Sequence, residues 1–422
     1  MARRSSYPAT LAAAIDSFLP ALSAAGSWSP AAVAAVALLS AWSAESTLAD
    51  RFEDARAVYR KTWKRRRAPG RTYTGFAAAL VRLGMPLVAL LQAQFRGRVL
   101  ALGGRFARVE GRRVFAVDGT RVEAPRTCAN ERALGCAGKR KSGPQFMVTV
   151  LWQLGVKQLF AWRIGRGVSS ERRHLDALVG LLPPDALLVA DAGFAGYRVL
   201  ERMQREGRSF LLRVGGNIRL LRDLLDVACE RRGDVVYLWP NSRRTDRPLQ
   251  LRLVVVGEGK QAVHIVANDD AERLPDEQAA VIYRLRWGVE TFFRGVKQTL
   301  ARRKLRSDSP TRGAFELHWL LLGCGLLGLQ TATALIEQGH APGDWSVAAA
   351  RRAVRAAMRT NSAPGLFRRL KEARREQRER TSSKKARDWP HKKRDKPCGP
   401  PIIRAATAAE RRAAQRLYAT TS

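Results

Sequence analysis

The spacing of apolar positions divides the chain into a helical N-terminal part and a mixed α/β part. Apolar residues recur at helical spacing through residues 30–60 and 73–95, which places them on one face of a helix. From residue 112 onward, short apolar runs of strand length replace that spacing, and turn residues or amphipathic helices separate them. The pattern predicts an α/β fold with a mixed sheet flanked by helices, preceded by an all-helical N-terminal domain.

The predicted strands fall into two groups. Strands are expected at the runs RRVFAVDG, QFMVTVLWQL, QLFAWRIG, ALLVADAG and SFLLRV, with helices near residues 171–182 and 196–206. A second group lies within residues 215–274, at DVVYLWP, PLQLRLVVV and QAVHIVA, and GEGK joins the last two as a hairpin. We interpret residues 215–274 as a β-rich insertion into the α/β region.

The charge of the chain favours a polyanionic partner. There are 75 Lys and Arg residues against 37 Asp and Glu residues, which leaves a formal net charge of +38. Counterion release from phosphates supplies most of the non-specific affinity of basic proteins for nucleic acid. Nucleic acid is therefore the favoured partner, and a membrane surface or a basic protein without a polyanionic partner are the alternatives. Residues 361–400 alone contain 14 Lys or Arg residues, which is typical of a partly disordered tail.

Two other features bear on where the protein works. The five cysteines are scattered without CxxC pairs, which argues against a zinc site or a disulfide scaffold and indicates a reducing cytosol. The apolar stretch 317–336 is long enough to cross a bilayer. Because it contains His318 and Gln330, we interpret it as the buried core helix of a cytoplasmic protein with no membrane partner.

Two aspartates stand at predicted strand ends. Asp118 follows VFAV and precedes Gly119, and Asp191 follows ALLVA and precedes an Ala-Gly pair. A carboxylate at the end of a buried strand is held by a rigid frame and points into the crevice where open α/β sheets bind ligands. Either aspartate alone predicts no more than a turn, because Asp-Gly after a strand is commonly a turn.

A third carboxylate lies in the segment YRLRWGVETFFRGVK. If residues 283–297 form one helix, four polar residues fall within about 60° of one another, and an apolar stripe lies about 110° away. The polar residues are Tyr283, Arg286, Glu290 and Lys297, and the apolar ones are Ile282, Leu285, Val289, Phe292 and Val296. A lone carboxylate at the rim of a core is costly unless a cation compensates it.

Asp118, Asp191 and Glu290 together supply three hard oxygen ligands, the kind that Mg²⁺ prefers. Two such ions activate a water or a 3′-hydroxyl and stabilise the leaving oxygen in an in-line displacement at phosphorus. Lys297, Arg286 and Tyr283 are candidates for contacts with phosphate or base. Each also has an alternative without a functional role: Lys297 and Arg286 as solvated helix charges, and Tyr283 as a half-buried aromatic ring.

The spacing Y-x2-R-x3-E-x6-K at Tyr283, Arg286, Glu290 and Lys297 resembles the signature of bacterial DDE transposases of the insertion-sequence-four family. The segments VDGT and DAGF, around Asp118 and Asp191, resemble the two aspartate motifs of that family in the same order. The resemblance covers residues 112–300 well, the N-terminal helices loosely and the C-terminal tail hardly at all.

The resemblance implies an RNase H-like catalytic domain in which Asp118, Asp191 and Glu290 bind two Mg²⁺ ions, with Mn²⁺ able to substitute. It also implies that Tyr283, Arg286 and Lys297 contact DNA. Some relatives stack a flipped base on a Trp of the insertion; Trp239 is the only Trp there and is assigned to DNA binding, with packing as the alternative.

The implied reaction is hydrolytic nicking at a transposon end followed by attack of the freed 3′-hydroxyl on target DNA. The implied partners are double-stranded DNA, as terminal inverted repeats and target, and a second copy of the chain in a synaptic dimer. The expected location is the cytoplasm, in association with the nucleoid.

These expectations assign a role to each region of the chain. A structure-specific RNase H-like endonuclease and a noncatalytic DNA-binding protein derived from a transposase are the alternative functions. The predicted domains are a DNA-binding helical domain at 1–98, the RNase H-like domain at 99–214 and 275–340, the insertion at 215–274, and a basic C-terminal helix and tail at 341–422.

Overall fold

The computed structural model describes the chain in two compact units. The described residues are 11–19, 22–23, 26–102, 104–136, 143–225, 234–259, 262–299, 304–360, 364–374 and 399–419. The first unit takes its described residues from 1–108, 118–170 and 288–375, and the second from 109–117, 171–287 and 376–422. Residues 137–142 and the predicted tail residues 375–398 lie outside the described residues.

The described strands form one mixed sheet. They are β1 (Arg113–Glu123), β2 (Gln145–Gln153), β3 (Gln158–Arg166), β4 (Ala186–Ala190), β5 (Ser209–Val214), β6 (Arg219–Arg222), β7 (Val235–Leu238), β8 (Leu249–Val256), β9 (Val263–Ala267) and β10 (Ile402–Ala405). Their order is β10-β6-β7-β8-β9-β5-β4-β1-β2-β3. Strand β1 pairs with β4 and β4 with β5 in parallel, whereas β2 and β3 form an antiparallel hairpin. The predicted α/β fold with a mixed sheet is confirmed.

Helices precede, separate and follow these strands in the sequence. They are α1 (Leu11–Asp16), α2 (Pro30–Trp42), α3 (Leu48–Thr62), α4 (Tyr73–Ala101), α5 (Cys128–Leu134), α6 (Glu171–Val179), α7 (Tyr197–Arg205), α8 (Asp276–Leu285), α9 (Gly288–Arg294), α10 (Pro310–Glu337), α11 (Val347–Thr360), α12 (Pro364–Lys371) and α13 (Ala408–Ala419). The helices predicted before residue 98 are present, with a kink in α4 at Gly84, whose φ of 59° is a conformation that glycine tolerates.

The first unit is built around α10. Ser309 caps this helix by accepting the backbone N–H of Arg312, and Pro310 begins it. Helix α10 is buried on nearly every side and contacts α2, α4 and β3, so the N-terminal helices share its core. Two helices, α4 and α10, are long and apolar enough to cross a membrane; the apolar window of α10 is 83% buried within the protein, and that of α4 is 33% buried. The predicted interpretation of 317–336 as a core helix agrees with this burial.

Glycines let neighbouring elements approach α10 closely. A Cβ added at Gly325 would lie 2.6 Å from the ring of Phe95, and one at Gly323 would lie 2.8 Å from Ala41 Cβ. The Phe95 ring is fully buried between Phe18 and Trp162, so it has little room to move. The glycines therefore set the distance between α10 and the N-terminal helices.

The second unit extends the sheet beyond β5. Strand β9 pairs antiparallel with both β5 and β8, so the predicted insertion continues the same sheet. The C-terminal residues then return to it, because β10 pairs in parallel with β6 and α13 follows. A small apolar core joins them: Leu221, Leu224, Tyr237, Trp239, Ala406 and Ala414. The interpretation of all residues after 341 as a helix and tail is therefore wrong for 402–419, which contain both a strand and a helix.

The substitution Gly325→Ala is expected to lower the free energy of unfolding by about 1 to 3 kcal/mol, because the added methyl overlaps the Phe95 ring. Gly97→Ala is the matched control: Gly97 lies on α4 with nothing within 4 Å of an added Cβ, so alanine should raise stability by roughly 0.5 to 1 kcal/mol. Urea denaturation measures both. Equal effects of the two substitutions would contradict the close packing at Gly325.

The buried imidazole of His318 predicts a loss of stability in mild acid. Burial lowers its pKa to about 4, and its Nδ1 accepts the indole N–H of Trp162 at 3.0 Å. Below the ordinary pKa of about 6.5, the unfolded chain takes up a proton that the folded chain refuses, so stability falls as the pH drops from 6.5 to 4. The full effect is about 3 kcal/mol.

His318→Gln is expected to remove most of this pH dependence while retaining an acceptor for Trp162. Urea midpoints of both proteins at pH 6.5, 5.5 and 4.5 measure the difference. Burial also lowers the pKa of His264, but that residue is present in both proteins and cancels in the comparison. Parallel pH profiles for the two proteins would rule out His318 as the source.

Candidate active site

Asp118 lies in the middle of β1. The strand continues through Gly119 and Thr120 to Glu123, whose carbonyl accepts the backbone N–H of Leu305 at 2.8 Å. The prediction that Asp118 ends its strand is therefore wrong, and so is the alternative that Asp118 and Gly119 form a turn. The apolar run stops at Asp118, but backbone pairing continues beyond it. The Asp118 carboxylate is half-buried and accepts the backbone N–H of Gly119 at 2.9 Å.

Asp191 directly follows β4, as predicted. Its carboxylate accepts the backbone N–H of Ala192 at 2.8 Å and caps a 3-10 turn that spans Ala192–Phe194. The Asp191 side chain is 40% exposed. The aspartate is thus held at the carboxyl end of a fully buried strand, with part of its carboxylate open to solvent.

Strand register aligns β1 with β4 and β4 with β5. Ala116 of β1 pairs with Val189 of β4. Asp118 lies two residues beyond Ala116, and Asp191 lies two residues beyond Val189. On the other side of β4, Ala190 pairs with Leu212 of β5, and Arg213 follows Leu212 as Asp191 follows Ala190.

Two arginines and a tyrosine surround Asp191 within the second unit. Arg213 Nη1 lies 3.9 Å from one carboxylate oxygen, and Arg286 Nη2 lies 4.0 Å from the other. The Tyr283 ring is buried, with Arg286 Cζ 5.9 Å from its centroid. Burial, opposed by the charge of Arg286 and aided by that of Asp191, raises the pKa of Tyr283 to about 12. The phenol therefore stays protonated at neutral pH.

The predicted single helix over residues 283–297 is wrong. Helix α8 ends at Leu285, Arg286 and Trp287 form a turn, α9 covers Gly288–Arg294, and a π-helical turn covers Gly295–Thr299. A uniform advance of 100° per residue does not hold across this break, so the helical projection does not apply to the four polar residues as one set. Arg286 is also more deeply placed than the predicted rim, since it is only 4% exposed.

The predicted apolar stripe is only partly buried. The stripe residues Ile282, Val289, Phe292 and Val296 are buried, whereas Leu285 is 40% exposed. Trp287, which forms the turn with Arg286, is 62% exposed, and its ring centroid lies 5.6 Å from Arg286 Cζ. The break therefore places a large aromatic ring in solvent beside a buried arginine.

Glu290 and Lys297 belong to the first unit, with Asp118. Glu290 lies in the first turn of α9, partly exposed, while Phe292 of the same helix packs against Trp152 of β2 at 4.9 Å between ring centroids. Lys297 Nζ donates a hydrogen bond to Thr120 Oγ1 at 2.6 Å. Thr120 is two residues from Asp118, so both side chains lie on one face of β1. This contact places the Lys297 ammonium on the face that carries Asp118.

Trp239 is a packing residue in this structure. The residue is 3% exposed, its indole N–H donates to the carbonyls of Arg243 at 2.9 Å and Asp246 at 2.8 Å, and Arg244 lies 4.3 Å above its ring. With its N–H bonded and its ring covered, Trp239 presents no free face to a base. Its predicted DNA contact is therefore corrected to the packing alternative.

The carboxylates have the donor chemistry that a hard divalent cation requires. Within the described part of the chain, however, no group of three or more His, Cys, Asp or Glu side chains lies close enough together to hold a metal ion. Asp118 and Glu290 belong to the first unit, and Asp191 belongs to the second. The three predicted donors are thus divided between the two units.

Comparison with known proteins identifies the family. Residues 110–324 match the family model described as "Transposase DDE domain". The chain belongs to the transposase DDE domain family. The matched residues include every predicted site residue, and membership implies dependence on divalent metal ions in general.

The chain is similar to a curated relative and to a solved structure. The "Transposase InsG for insertion sequence element IS4" of Escherichia coli (strain K12) is 26% identical over 234 residues, which cover 52% of this chain and 52% of the relative. The chain thus spans about half the length of that relative. The "Cryo-EM structure of piggyBac transposase synaptic complex with hairpin DNA (SNHP)" has a TM-score of 0.41 and 11% identity, covering 80% of this chain and 72% of that chain. A similarity that low has no bearing on the fold or the site.

Sequence reasoning missed three residues of this region. Arg213 reaches Asp191 through strand register, Thr120 anchors Lys297, and Trp287 is exposed by the helix break. The alternation along β1 was a signal for Thr120, because it shares a face with Asp118. Arg213 and Trp287 depend on strand pairing and on a local helix break, which a single sequence does not reveal.

Proposed function

We propose that the protein is a DDE transposase, which cleaves DNA strands at transposon ends and joins the freed 3′-hydroxyl to target DNA. The observation that carries this proposal is the family match over residues 110–324, a span that contains Asp118, Asp191 and Glu290. The parallel pairing of β1, which contains Asp118, with β4, which Asp191 follows, supports it. Because the chain spans about half of its curated relative, the activity of the whole protein is inferred.

We assign Asp118, Asp191 and Glu290 as the ligands of two Mg²⁺ ions, with Mn²⁺ as a substitute. Such ions, when bound, supply an activated oxygen nucleophile and stabilise the leaving oxygen. The chain's own contribution is to present the carboxylates from rigid elements. Asp118 lies within a strand, Asp191 caps a turn at a strand end, and Glu290 lies on a helix anchored by buried aromatic rings.

We assign Tyr283, Arg286 and Lys297 to the DNA, and add Arg213. Arg213 and Arg286 lie about one ion-pair distance from Asp191, so a phosphate placed near that carboxylate has two guanidinium groups within reach. The protonated Tyr283 phenol retains a proton to donate. Lys297, held by Thr120, supplies a positive charge on the face of Asp118. These groups bind and orient a phosphate and offset its charge.

The partners follow from the same chemistry. Double-stranded DNA, as terminal inverted repeats and as target, suits a chain with a net charge of +38. A homodimer in a synaptic complex and a location in the cytoplasm with the nucleoid complete the proposal. A structure-specific endonuclease and a noncatalytic DNA-binding protein are the functions that the experiments below separate from it.

Glu290→Gln is expected to reduce strand cleavage and strand transfer more than about 100-fold, because loss of a direct ligand exceeds the usual cost of losing an outer-shell partner. The assay uses a labelled duplex with the terminal sequences that flank the gene, in Mg²⁺ or Mn²⁺, with EDTA as the metal-free condition. Glu277→Gln is the matched control, since Glu277 is an exposed carboxylate on α8 and should keep full activity.

The outcomes of this assay separate the three functions. The transposase function is supported if DNA is cut and joined only in the presence of metal ions, and if both activities are lost in Glu290→Gln but kept in Glu277→Gln. Cutting without joining supports the endonuclease, and binding without cutting in any variant supports the noncatalytic protein. Full activity of Glu290→Gln would remove Glu290 from the catalytic set.

Trp287→Ala is expected to weaken binding of a terminal duplex that has a single-stranded extension by about 1 to 3 kcal/mol, the usual cost of losing one aromatic ring that stacks on an unpaired base. Trp287→Phe, which keeps a ring, should recover most of the affinity. Fluorescence anisotropy with a labelled duplex measures all three proteins. If the alanine and phenylalanine variants bind as tightly as the wild type, the exposed ring has no role in binding DNA.

A further inference from the structure

The second unit contains a groove lined mainly by arginine. Its volume is about 750 Å³, and its described lining includes seven arginines and a single acidic residue, Asp176. Five of these arginines, Arg172, Arg173, Arg198, Arg219 and Arg404, are exposed. The guanidinium groups of these arginines repel one another in the free protein, and an anion bound in the groove would reduce that repulsion.

The groove lies at the sheet edge that carries Asp191. Strands β4 and β5 are parallel, so their carboxyl ends lie at the same edge. Groove residues 195–199 follow the turn that Asp191 caps, and residues 217–219 follow β5. Arg172 Nε donates to the carbonyl of Gly193 within that turn at 3.1 Å. The groove therefore begins within a few residues of the proposed catalytic carboxylate.

Three of the groove arginines form ion pairs within the protein. Arg244 and Arg404 both contact Glu410 of α13 at 2.7 Å, and Arg243 contacts Asp246 at 3.3 Å. The bond from Arg404 and the backbone N–H of Thr407 hold the pKa of Glu410 at about 2, so this carboxylate stays charged. These three arginines build the wall of the groove.

Other arginines of the groove are available to a ligand. Arg173, Arg198 and Arg219 are exposed and form no ion pair with any residue in the described ranges. Asn217, Asn241 and Ser242 add neutral hydrogen-bonding side chains to the lining. Arginine with asparagine and serine is the usual set that contacts DNA phosphates.

The lining also indicates which part of the DNA is contacted. Trp239 lines the groove, but Arg244 covers its ring and its N–H is bonded to backbone carbonyls. The groove thus offers cations and hydrogen-bond donors and lacks an open stacking platform. Contacts of this kind position a backbone without reading its sequence.

We propose that the arginine groove binds the phosphate backbone of the DNA strand that flanks the scissile phosphate, independently of base sequence. This inference rests on the proposed function, because it takes Asp191 as part of the reaction centre. The C-terminal segment contributes to the groove through Arg404 and Glu410, so residues 402–419 take part in holding DNA.

The test compares Arg173→Ala/Arg219→Ala with the control Arg273→Ala/Arg412→Ala. The control pair removes the same charge from two exposed arginines of the same unit that do not line the groove. Affinity for a terminal duplex and for a scrambled duplex of equal length is measured from 50 to 200 mM salt. Removing one arginine–phosphate interaction lowers the slope of log K against log [salt] by about 0.9.

The groove variant is expected to lower the salt slope by about two, equally for both duplexes, while the control pair leaves the slope unchanged. Duplexes with one neutral methylphosphonate at a time then locate the contact. Wild-type protein should lose affinity when the phosphates next to the cleavage position are neutral, and the groove variant should be insensitive there.

Three results would overturn the inference. Equal slopes for the groove variant and the control pair would remove the groove from DNA binding. Interference only at phosphates far from the cleavage position would separate the groove from the reaction centre. If the predicted change in slope is absent while wild-type protein binds, cuts and joins DNA, only the groove assignment is overturned; if wild-type protein binds no DNA, the proposed function falls with it.

Discussion

The parallel pairing of β1 with β4 is the constraint on which the candidate site depends. Arg113 pairs with Ala186 and Ala116 with Val189, so the strands run in register toward the edge that carries the carboxylates. Side chains alternate between faces along a strand, and a slip by one residue would turn each side chain to the opposite face. The apolar run VFAV of β1 and the whole of β4 are buried, which penalises such a slip. Burial of these apolar side chains thus fixes the register of β1 against β4.

The same register organises the charges around Asp191. Because β5 is parallel to β4, Arg213 at the end of β5 lies beside Asp191 at the end of β4. A second arginine, Arg286, contacts Asp191 from the turn after α8. Each guanidinium lies close to the outer limit of ion-pair distance from the carboxylate, so neither forms a tight bidentate pair. Looser pairs of this kind are easier to exchange for a phosphate than a close, fully desolvated pair.

The sequence predicted those features that follow from local patterns. Eight of the strands and the position of Asp191 at a strand end follow from apolar runs and their boundaries, as does the burial of Val289 and Phe292. The break at Arg286 and Trp287 did not follow, because a helical projection assumes an unbroken helix. Strand β10 was missed for another reason: it has four residues, none fully buried, and its partner β6 lies more than a hundred residues earlier. Such pairing is decided by tertiary contacts that local composition does not encode.

The acidic residues of the second unit explain how so basic a chain folds and still keeps charge for a ligand. Glu410 forms ion pairs with two arginines, Arg244 and Arg404. The Asp269 carboxylate accepts a hydrogen bond from Arg112 at 2.6 Å, and the Asp269 backbone carbonyl accepts one from Arg252. Acids placed in this way neutralise the arginines that hold elements together. The arginines left without an acid in the described residues, such as Arg173, Arg198 and Arg219, gather at the carboxyl edge of β4 and β5. The distribution of arginines without an acidic partner, more than the total charge, therefore determines where the positive potential that attracts a polyanion is strongest on this unit.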